Sequence, residues 1–353
     1  MSRKSIFARI GQSVLVIWAT FTLAFILLSA LPSDAVAARY DNPNLGLTPE
    51  QLAEIREVYG ADEPLISRYF SALTGFLTGD FGYSVATGTA VSEMLANAIP
   101  STMALALSAF VVGAILAFGI AVLSTFGPMT WLRSLSRSLP SVMVSVPTFW
   151  IGIILIQIFS FGLGWVPVIG ANSVQSLVLP VITLAIAISA PLAQVLMRSI
   201  DEVMDMPFVQ VVRAKGASGA WLLWRNVLRN AFLPVLTMAG LTFGELIGGS
   251  VVTEAVFARH GIGALTVDAV ADRDTSVLLA IVVLAAVVFV LINLVVDLLY
   301  PVLDVRLRER RTAVNSAAQP STAQPSATSS SAHAAGTSRN ASEPHEKEEQ
   351  KCS

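Results

Sequence analysis

Six runs of about 20 mostly apolar residues recur along this chain, at 11–31, 100–126, 139–161, 177–197, 231–257 and 277–300. An α-helix rises about 1.5 Å per residue, so each run is long enough to cross a hydrocarbon layer about 30 Å thick. Lipid offers the backbone no hydrogen-bond partners, and only structures that satisfy their own amides can span it. The pattern predicts an all-α membrane protein with six transmembrane helices. Composition agrees: 54% of the 353 residues are hydrophobic and 13% charged, with a mean hydropathy of +0.69. That excludes a chain of ordinary soluble domains.

Basic residues near span ends are retained on the cytoplasmic side of a membrane. With the N-terminus inside, fourteen Lys and Arg fall in the inner segments, among them Arg3, Lys4, Arg9, Arg133, Arg137, Arg213 and Lys215. Only five, Arg39, Arg56, Arg68, Arg259 and Arg273, fall outside. Both termini are therefore expected in the cytoplasm. Arg3 and Lys4, the first apolar run and Ala35-Val36-Ala37 imitate a secretory signal with its cleavage site. The run is longer than a usual signal core, so it is expected to be retained.

The expected organisation is an N-terminus and first span at 1–31, an external segment at 32–99, a five-span core at 100–311 with a cytoplasmic loop at 201–230, and a tail at 312–353. That tail is rich in Ser, Ala, Thr, Pro and Gln, cannot bury enough apolar area to order itself, and is expected to be disordered. In the external segment Thr48 and Pro49 are suited to open a helix that Gly60 closes, and a second amphipathic run covers 65–77. A small solvated lid and a docking surface for an external partner are both consistent with it. Pro140 and Pro147 at the third run, and Pro180 and Pro191 in the fourth, mark places for kinks. Gly240, Gly244, Gly248 and Gly249 form a small-residue stripe suited first to close helix packing and second to a moving gate.

Enzymatic signatures are missing from the sequence. No phosphate-binding Gly-x-x-x-x-Gly-Lys-Ser/Thr loop occurs, nor His-Glu-x-x-His, Gly-x-Ser-x-Gly or Gly-x-Gly-x-x-Gly. The single Cys352 and the scattered histidines suggest neither an intrachain disulfide nor a zinc site. A near balance of 22 basic and 24 acidic residues gives no argument for a nucleic-acid partner. Polar groups at membrane depth are suspects for function. They are Gln157, Glu245, Glu254, and Asn293 with Asp297, one helical turn apart near the cytoplasmic end. Interhelical hydrogen bonding is the first reading for the last pair. Glu245, with Gly248 and Gly249, is the candidate for lining a polar path, and structural pairing is its alternative.

Six spans without chemistry of their own suggest a conduit driven from outside, and 201–230 is the place to drive it. Asp205 is suited to cap a helix beginning near Met206 and Pro207 that Gly216 ends. Ser218 is suited to cap the next, with Trp221, Leu222 and Trp224 on its apolar side and Arg225 and Arg229 toward head groups. Two short helices meeting at a glycine form a compact knob.

The stretch Gln210-Val211-Val212-Arg213-Ala214-Lys215-Gly216-Ala217-Ser218, followed by Arg225-Asn226-Val227-Leu228-Arg229-Asn230-Ala231-Phe232-Leu233-Pro234, resembles the coupling loop of ABC importer permeases of the dipeptide, oligopeptide and nickel branch. Three further blocks carry the resemblance: Tyr59-Gly60 through Gly79-Asp80-Phe81-Gly82; 249–257 with Gly261-Ile262-Gly263 and Arg273-Asp274; and 293–300 with Asp304-Val305-Arg306. Gln210-Val211-Val212 stands where the broad permease signature has Glu-Ala-Ala, a variation usual in the peptide branch. The resemblance implies a type I importer fold and half of a translocation path, paired with a second homologous permease subunit. Two ATPase subunits, which carry ATP and Mg, would hold the coupling loops through Gln210, Arg213, Ala214, Lys215, Gly216 and Ala217, and an external binding protein would deliver substrate. No cofactor is implied on this chain, and its place is the cell membrane. Di- and oligopeptides are the implied cargo, with nickel or another small solute as the alternative. Outside transport, the rivals are an intramembrane enzyme using Glu245 or Asp297 and a scaffold or receptor signalling through the loop.

Overall fold

The first apolar run forms α1 (Arg3–Ser29), and two short helices follow, α2 (Pro49–Val58) and α3 (Leu65–Thr78). After them come α4 (Val91–Phe126), α5 (Thr130–Ser145), α6 (Thr148–Leu155) continued by wider π turns at Ile156–Gly162, and α7 (Val174–Met204). The chain then forms α8 (Pro207–Ala214), α9 (Gly219–Leu222) with π turns at Leu223–Val227, α10 (Leu228–Val256), α11 (Ile262–Ala271) and α12 (Thr275–Leu303). The computed structural model describes residues 3–30, 40, 47–58, 63–167 and 174–303, all within one compact unit, Met1–Val305. The expected tail at 312–353, the Ala35-Val36-Ala37 site and Gly60 lie outside the described residues.

Four single helices are long and apolar enough to cross a membrane: Ala8–Ser29, Val91–Phe126, Gln175–Met204 and Thr275–Asp297. Two more crossings are bent, bringing the count to six if each pair is one span. Thr130–Ser145 meets Thr148–Gly162 at 99°, and Gly219–Ala231 meets Pro234–Leu246 at 62°. The third span, expected over 139–161 with places for kinks at Pro140 and Pro147, is broken at Pro147, while Pro140 sits inside α5. Pro147 lacks an amide proton and disfavours helical geometry in the residue before it, and Val146 is accordingly extended at φ −96°. Pro180 and Pro191, by contrast, sit inside an α7 that is assigned as one helix.

The bundle is built on α4 against α7, its most extensive helix pair. Leu105, Ala106 and Ala109 meet Val181, Leu184 and Ile188 there. A Cβ on Gly113 would lie 2.6 Å from the Ile188 side chain, so the glycine permits the close approach. In lipid, packing and not solvent exclusion holds helices together, which rewards such small residues. The starts of α4 and α12 pack together through Val91, Leu95, Val277 and Ile281, so these helices run in the same direction. Their far ends therefore share one end of the bundle. Arg9 pairs with Asp297 there at 2.6 Å and Arg137 with Asp201 at 2.9 Å. Arg259 and Arg273 lie at the opposite end, beside α11.

The two helices expected after the first span are present. Thr48 Oγ1 accepts from Gln51 N–H at 3.3 Å while Gln51 Oε1 accepts from Thr48 N–H at 2.9 Å, a reciprocal cap that opens α2. Gly79, at φ +83°, closes α3 and donates to the Gly75 carbonyl. Aromatic rings fasten α3 to α1: Tyr69 meets Phe25 edge-on at 5.3 Å and Phe76 meets Phe21 at 5.1 Å.

Candidate functional site

The loop at 201–230 folds into the expected knob. Pro207 occupies the first turn of α8, where a missing amide proton costs nothing. Gly216 takes φ +84°, and the amides of Gly216 and Ala217 close the helix on the carbonyls of Arg213 (2.9 Å) and Val212 (3.4 Å). Ser218 Oγ then accepts from Trp221 N–H at 3.3 Å, capping the second helix as expected. Asp205 does not cap α8. Its amide instead continues the last turn of α7 by donating to the Asp201 carbonyl at 3.1 Å, and Met206 stands at the cap with no side-chain bond.

Underneath, Val209, Leu222, Leu223 and Val227 are buried against Leu196, Ile200 and Val203 of α7 and Ala121 of α4. Above, Gln210, Arg213, Ala214, Lys215 and Gly216 are exposed and Ala217 is half-buried. The expectation that Trp221 and Trp224 share the apolar side with Leu222 is corrected. Leu222, Leu223 and Val227 fill the single inward sector, which leaves both tryptophans exposed on its flanks, with the Trp224 ring 5.8 Å from Phe118. The knob is thus a polar cap on an apolar plug seated in the ends of two long helices.

The glycine stripe of α10 divides between two jobs. A Cβ on Gly240 would approach Val296 to 2.6 Å and one on Gly244 would approach Phe289 to 2.5 Å, so these two pack against α12. Gly248 and Gly249 face open space within 4 Å. Together with exposed Leu241, Glu245 and Val252 they form a continuous uncovered face at helical spacing. Asp297 bonds between helices as expected, through Arg9. Asn293 does not, its amide donating to the Phe289 carbonyl of its own helix at 2.9 Å.

At the opposite end lies a cluster that sequence reasoning did not single out as a site. The Glu254 carboxylate is completely buried (0% exposed). Oε1 accepts from Thr102 Oγ1 at 2.6 Å and Oε2 from Gly263 N–H at 2.7 Å. Thr102 Oγ1 in turn accepts from Ile262 N–H at 2.8 Å. A Cβ on Gly261 would lie 2.4 Å from the carboxylate, and one on Gly263 would lie 2.4 Å from the Val251 backbone. Glycine is therefore required at both places. Arg259 is buried beside this cluster, with Nη2 donating to Ser101 Oγ at 3.2 Å. Burial pushes its guanidinium below the usual range, the Glu254 charge acting in the opposite direction. Asp274 accepts from Ser84 Oγ at 2.5 Å and from Val277 N–H at 3.3 Å, capping α12. The signal available in the sequence was Gly261-Ile262-Gly263 following a membrane-depth glutamate within one loop. The Glu254, Thr102, Ile262 and Gly263 bonds clamp α11 to α4 and α10.

Comparison with known proteins gives this architecture a family. The family described as "Binding-protein-dependent transport system inner membrane component" matches residues 109–309, and its N-terminal companion matches residues 2–106. The glutathione transport system permease protein GsiC of Salmonella paratyphi A is 36% identical over 286 residues, covering 81% of this chain and 92% of the relative. Its counterpart from Escherichia coli strain K12 is 35% identical over 290 residues, with the same coverage. Among solved structures, an inward-facing form of the MetNI methionine ABC transporter superposes with a TM-score of 0.51 at 17% identity, covering 60% of this chain and 96% of that one, and so supports the fold alone. This chain belongs to the binding-protein-dependent transport system inner membrane component family: it is the permease subunit of an ABC importer, a multi-pass protein of the cytoplasmic membrane, with ATP hydrolysis carried by a separate subunit.

Proposed function

We propose that this chain forms half of a translocation path for di- and oligopeptides, driven through the knob at Gly216. The observation that carries this reading is the knob itself: five exposed residues, Gln210, Arg213, Ala214, Lys215 and Gly216, on a plug of Val209, Leu222, Leu223 and Val227 set into α4 and α7. A polar cap that is free on one side and rigidly seated on the other transmits a push as a rigid-body movement. On this reading both termini and the loop are cytoplasmic, in keeping with the collection of Arg9, Arg137, Arg213 and Lys215 at one end.

One ATPase subunit grips each knob of a permease pair. ATP and its Mg ion belong to those ATPases. Their closure on ATP draws the two knobs together and turns the bundle from inward-open to outward-open, and hydrolysis resets it. The uncovered face of α10 supports a homologous permease as the missing half: Gly248 and Gly249 permit close approach, and Glu245 sets a polar group beside the path. An external binding protein delivers cargo to the other end. The peptide assignment is supported by the motif resemblance and by relatives named for transport of glutathione, itself a tripeptide.

Both halves of the proposal are open to test. In a Cys352→Ser background, Ala214→Cys in the assembled complex is expected to form a cross-link with an ATPase subunit that ATP modulates, and absence of any ATPase cross-link overturns the coupling assignment. Uptake of labelled di- and tripeptides into vesicles holding the complex and its binding protein is expected. Uptake of nickel or another small solute with no peptide uptake overturns the cargo and leaves the coupling assignment standing.

A further inference from the structure

We infer that α3, in the segment after the first span, is an in-plane anchor whose outward apolar side lies in the outer leaflet of the membrane. It is thus neither a solvated lid nor a docking platform for protein. The inference rests on the family membership and on the proposed orientation with the N-terminus cytoplasmic, and needs no assumption about the cargo.

The depth of α3 follows from what it touches. Ala8–Ser29 is 22 residues of α1, about 33 Å of helix, which matches the hydrocarbon thickness. Ser29 therefore marks the outer boundary. Tyr69 of α3 meets the rings of Phe25 at 5.3 Å and Phe21 at 5.7 Å, and its hydroxyl lies 2.9 Å from Thr22 Oγ1. These partners lie four to eight residues inward of Ser29, or about 6–12 Å below the boundary. Amphipathic helices that ride in a membrane interface sit about 5–10 Å deep. The aromatic contacts hold α3 at that level.

The faces of α3 agree with this position. Tyr69, Ala72, Leu73 and Phe76 are the face against α1 and α12. Beside it, roughly a quarter turn around the helix, Ile66, Phe70 and Leu77 stand 72%, 58% and 80% exposed. Ser67 and Ser71 are exposed on the remaining side, and no residue of the helix is buried. In water such a stripe would be an aggregation liability. At this depth, beside the exposed Leu23 and Leu27 of α1, it is solvated by acyl chains. Lipid is the occupant because the stripe lies at the level of a lipid-facing span, where water does not reach.

The test places single nitroxide labels in a Cys352→Ser chain, assembled with its partner subunits in phosphatidylethanolamine and phosphatidylglycerol vesicles. Labels go to positions 66, 70 and 77, to the polar positions 67 and 71, and to the control positions 23 and 27. Collision with oxygen, which concentrates in lipid, is compared with collision with a water-soluble nickel chelate. The oxygen-to-nickel ratio is expected to be several-fold higher at 66, 70 and 77 than at 67 and 71, and to approach that at 23 and 27. A water-like ratio at 66, 70 and 77 overturns the proposal in favour of a solvated lid, and shielding from both reagents overturns it in favour of a protein partner. Water-like ratios at 23 and 27 as well would place the failure in the membrane reading.

Discussion

Thr102 Oγ1 donates to Glu254 Oε1 at 2.6 Å and accepts from Ile262 N–H at 2.8 Å, so one hydroxyl ties α4, α10 and the start of α11 together. Thr102→Val keeps the shape and removes both bonds, leaving a buried carboxylate oxygen and a buried amide short of a partner. A cost of about 2–6 kcal/mol follows, since each of the two orphaned buried groups costs about 1–3 kcal/mol. Thermal unfolding of the detergent-solubilised complex should show Thr102→Val well below wild type and Thr102→Ser close to it. Equal melting of the two variants contradicts the clamp.

Glycine is required in this cluster for space and not for flexibility. A methyl on Gly263 would lie 2.4 Å from the Val251 Cα, which is backbone and cannot swing away, whereas one on Gly248 meets nothing within 4 Å. Gly263→Ala is expected to reduce the yield of folded permease severalfold, and Gly248→Ala to leave it unchanged. Yield and protease resistance in membranes read the difference.

The division of labour along α10 has its own signature. Gly240→Leu drives a side chain into Val296 of α12 and is expected to destabilise the isolated subunit, because overpacking a close contact costs about 1–3 kcal/mol. Gly248→Leu projects into the uncovered face. It is expected to leave the subunit's own melting intact while weakening co-purification of the second permease or blocking uptake.

The Arg9–Asp297 pair joins α1 to α12 at 2.6 Å, with side chains 35% and 42% exposed. An ion pair this open contributes about 0–1 kcal/mol. Asp297→Asn is expected to retain uptake and to shift melting by no more than a few degrees. Loss of uptake would instead favour a role for Asp297 in the path.

The hydrophobic periods of the sequence were sufficient to locate the membrane crossings, because span length is set by bilayer thickness and little else. Local chemistry placed the caps at Thr48 and Ser218 and the left-handed turn at Gly216, since each depends on residues within three positions. Pro147 marked a place for a kink in the third crossing, though not its 99° size. What the sequence concealed is non-local. Glu254 read as one more membrane-depth carboxylate. Its partners Thr102 and Gly263 lie 152 and 9 residues away, and only the packing of α4 beside α10 assembles them. Among the glycines of α10, nothing in the sequence separates Gly240 and Gly244, which touch α12, from Gly248 and Gly249, which do not.

On the proposed reading, the turn at Gly216 passes mechanical work between an ATPase and the helix bundle. Its φ of +84° is one that a β-branched residue adopts only with strain, so Gly216→Val should distort the exposed cap while leaving the buried plug of Val209, Leu222 and Val227 in place. The decisive measurement is substrate-stimulated ATP hydrolysis by the complex in vesicles, with membrane insertion checked in parallel. Normal insertion is expected, with stimulation and uptake abolished. Undiminished stimulation and uptake in the inserted Gly216→Val complex would contradict that reading.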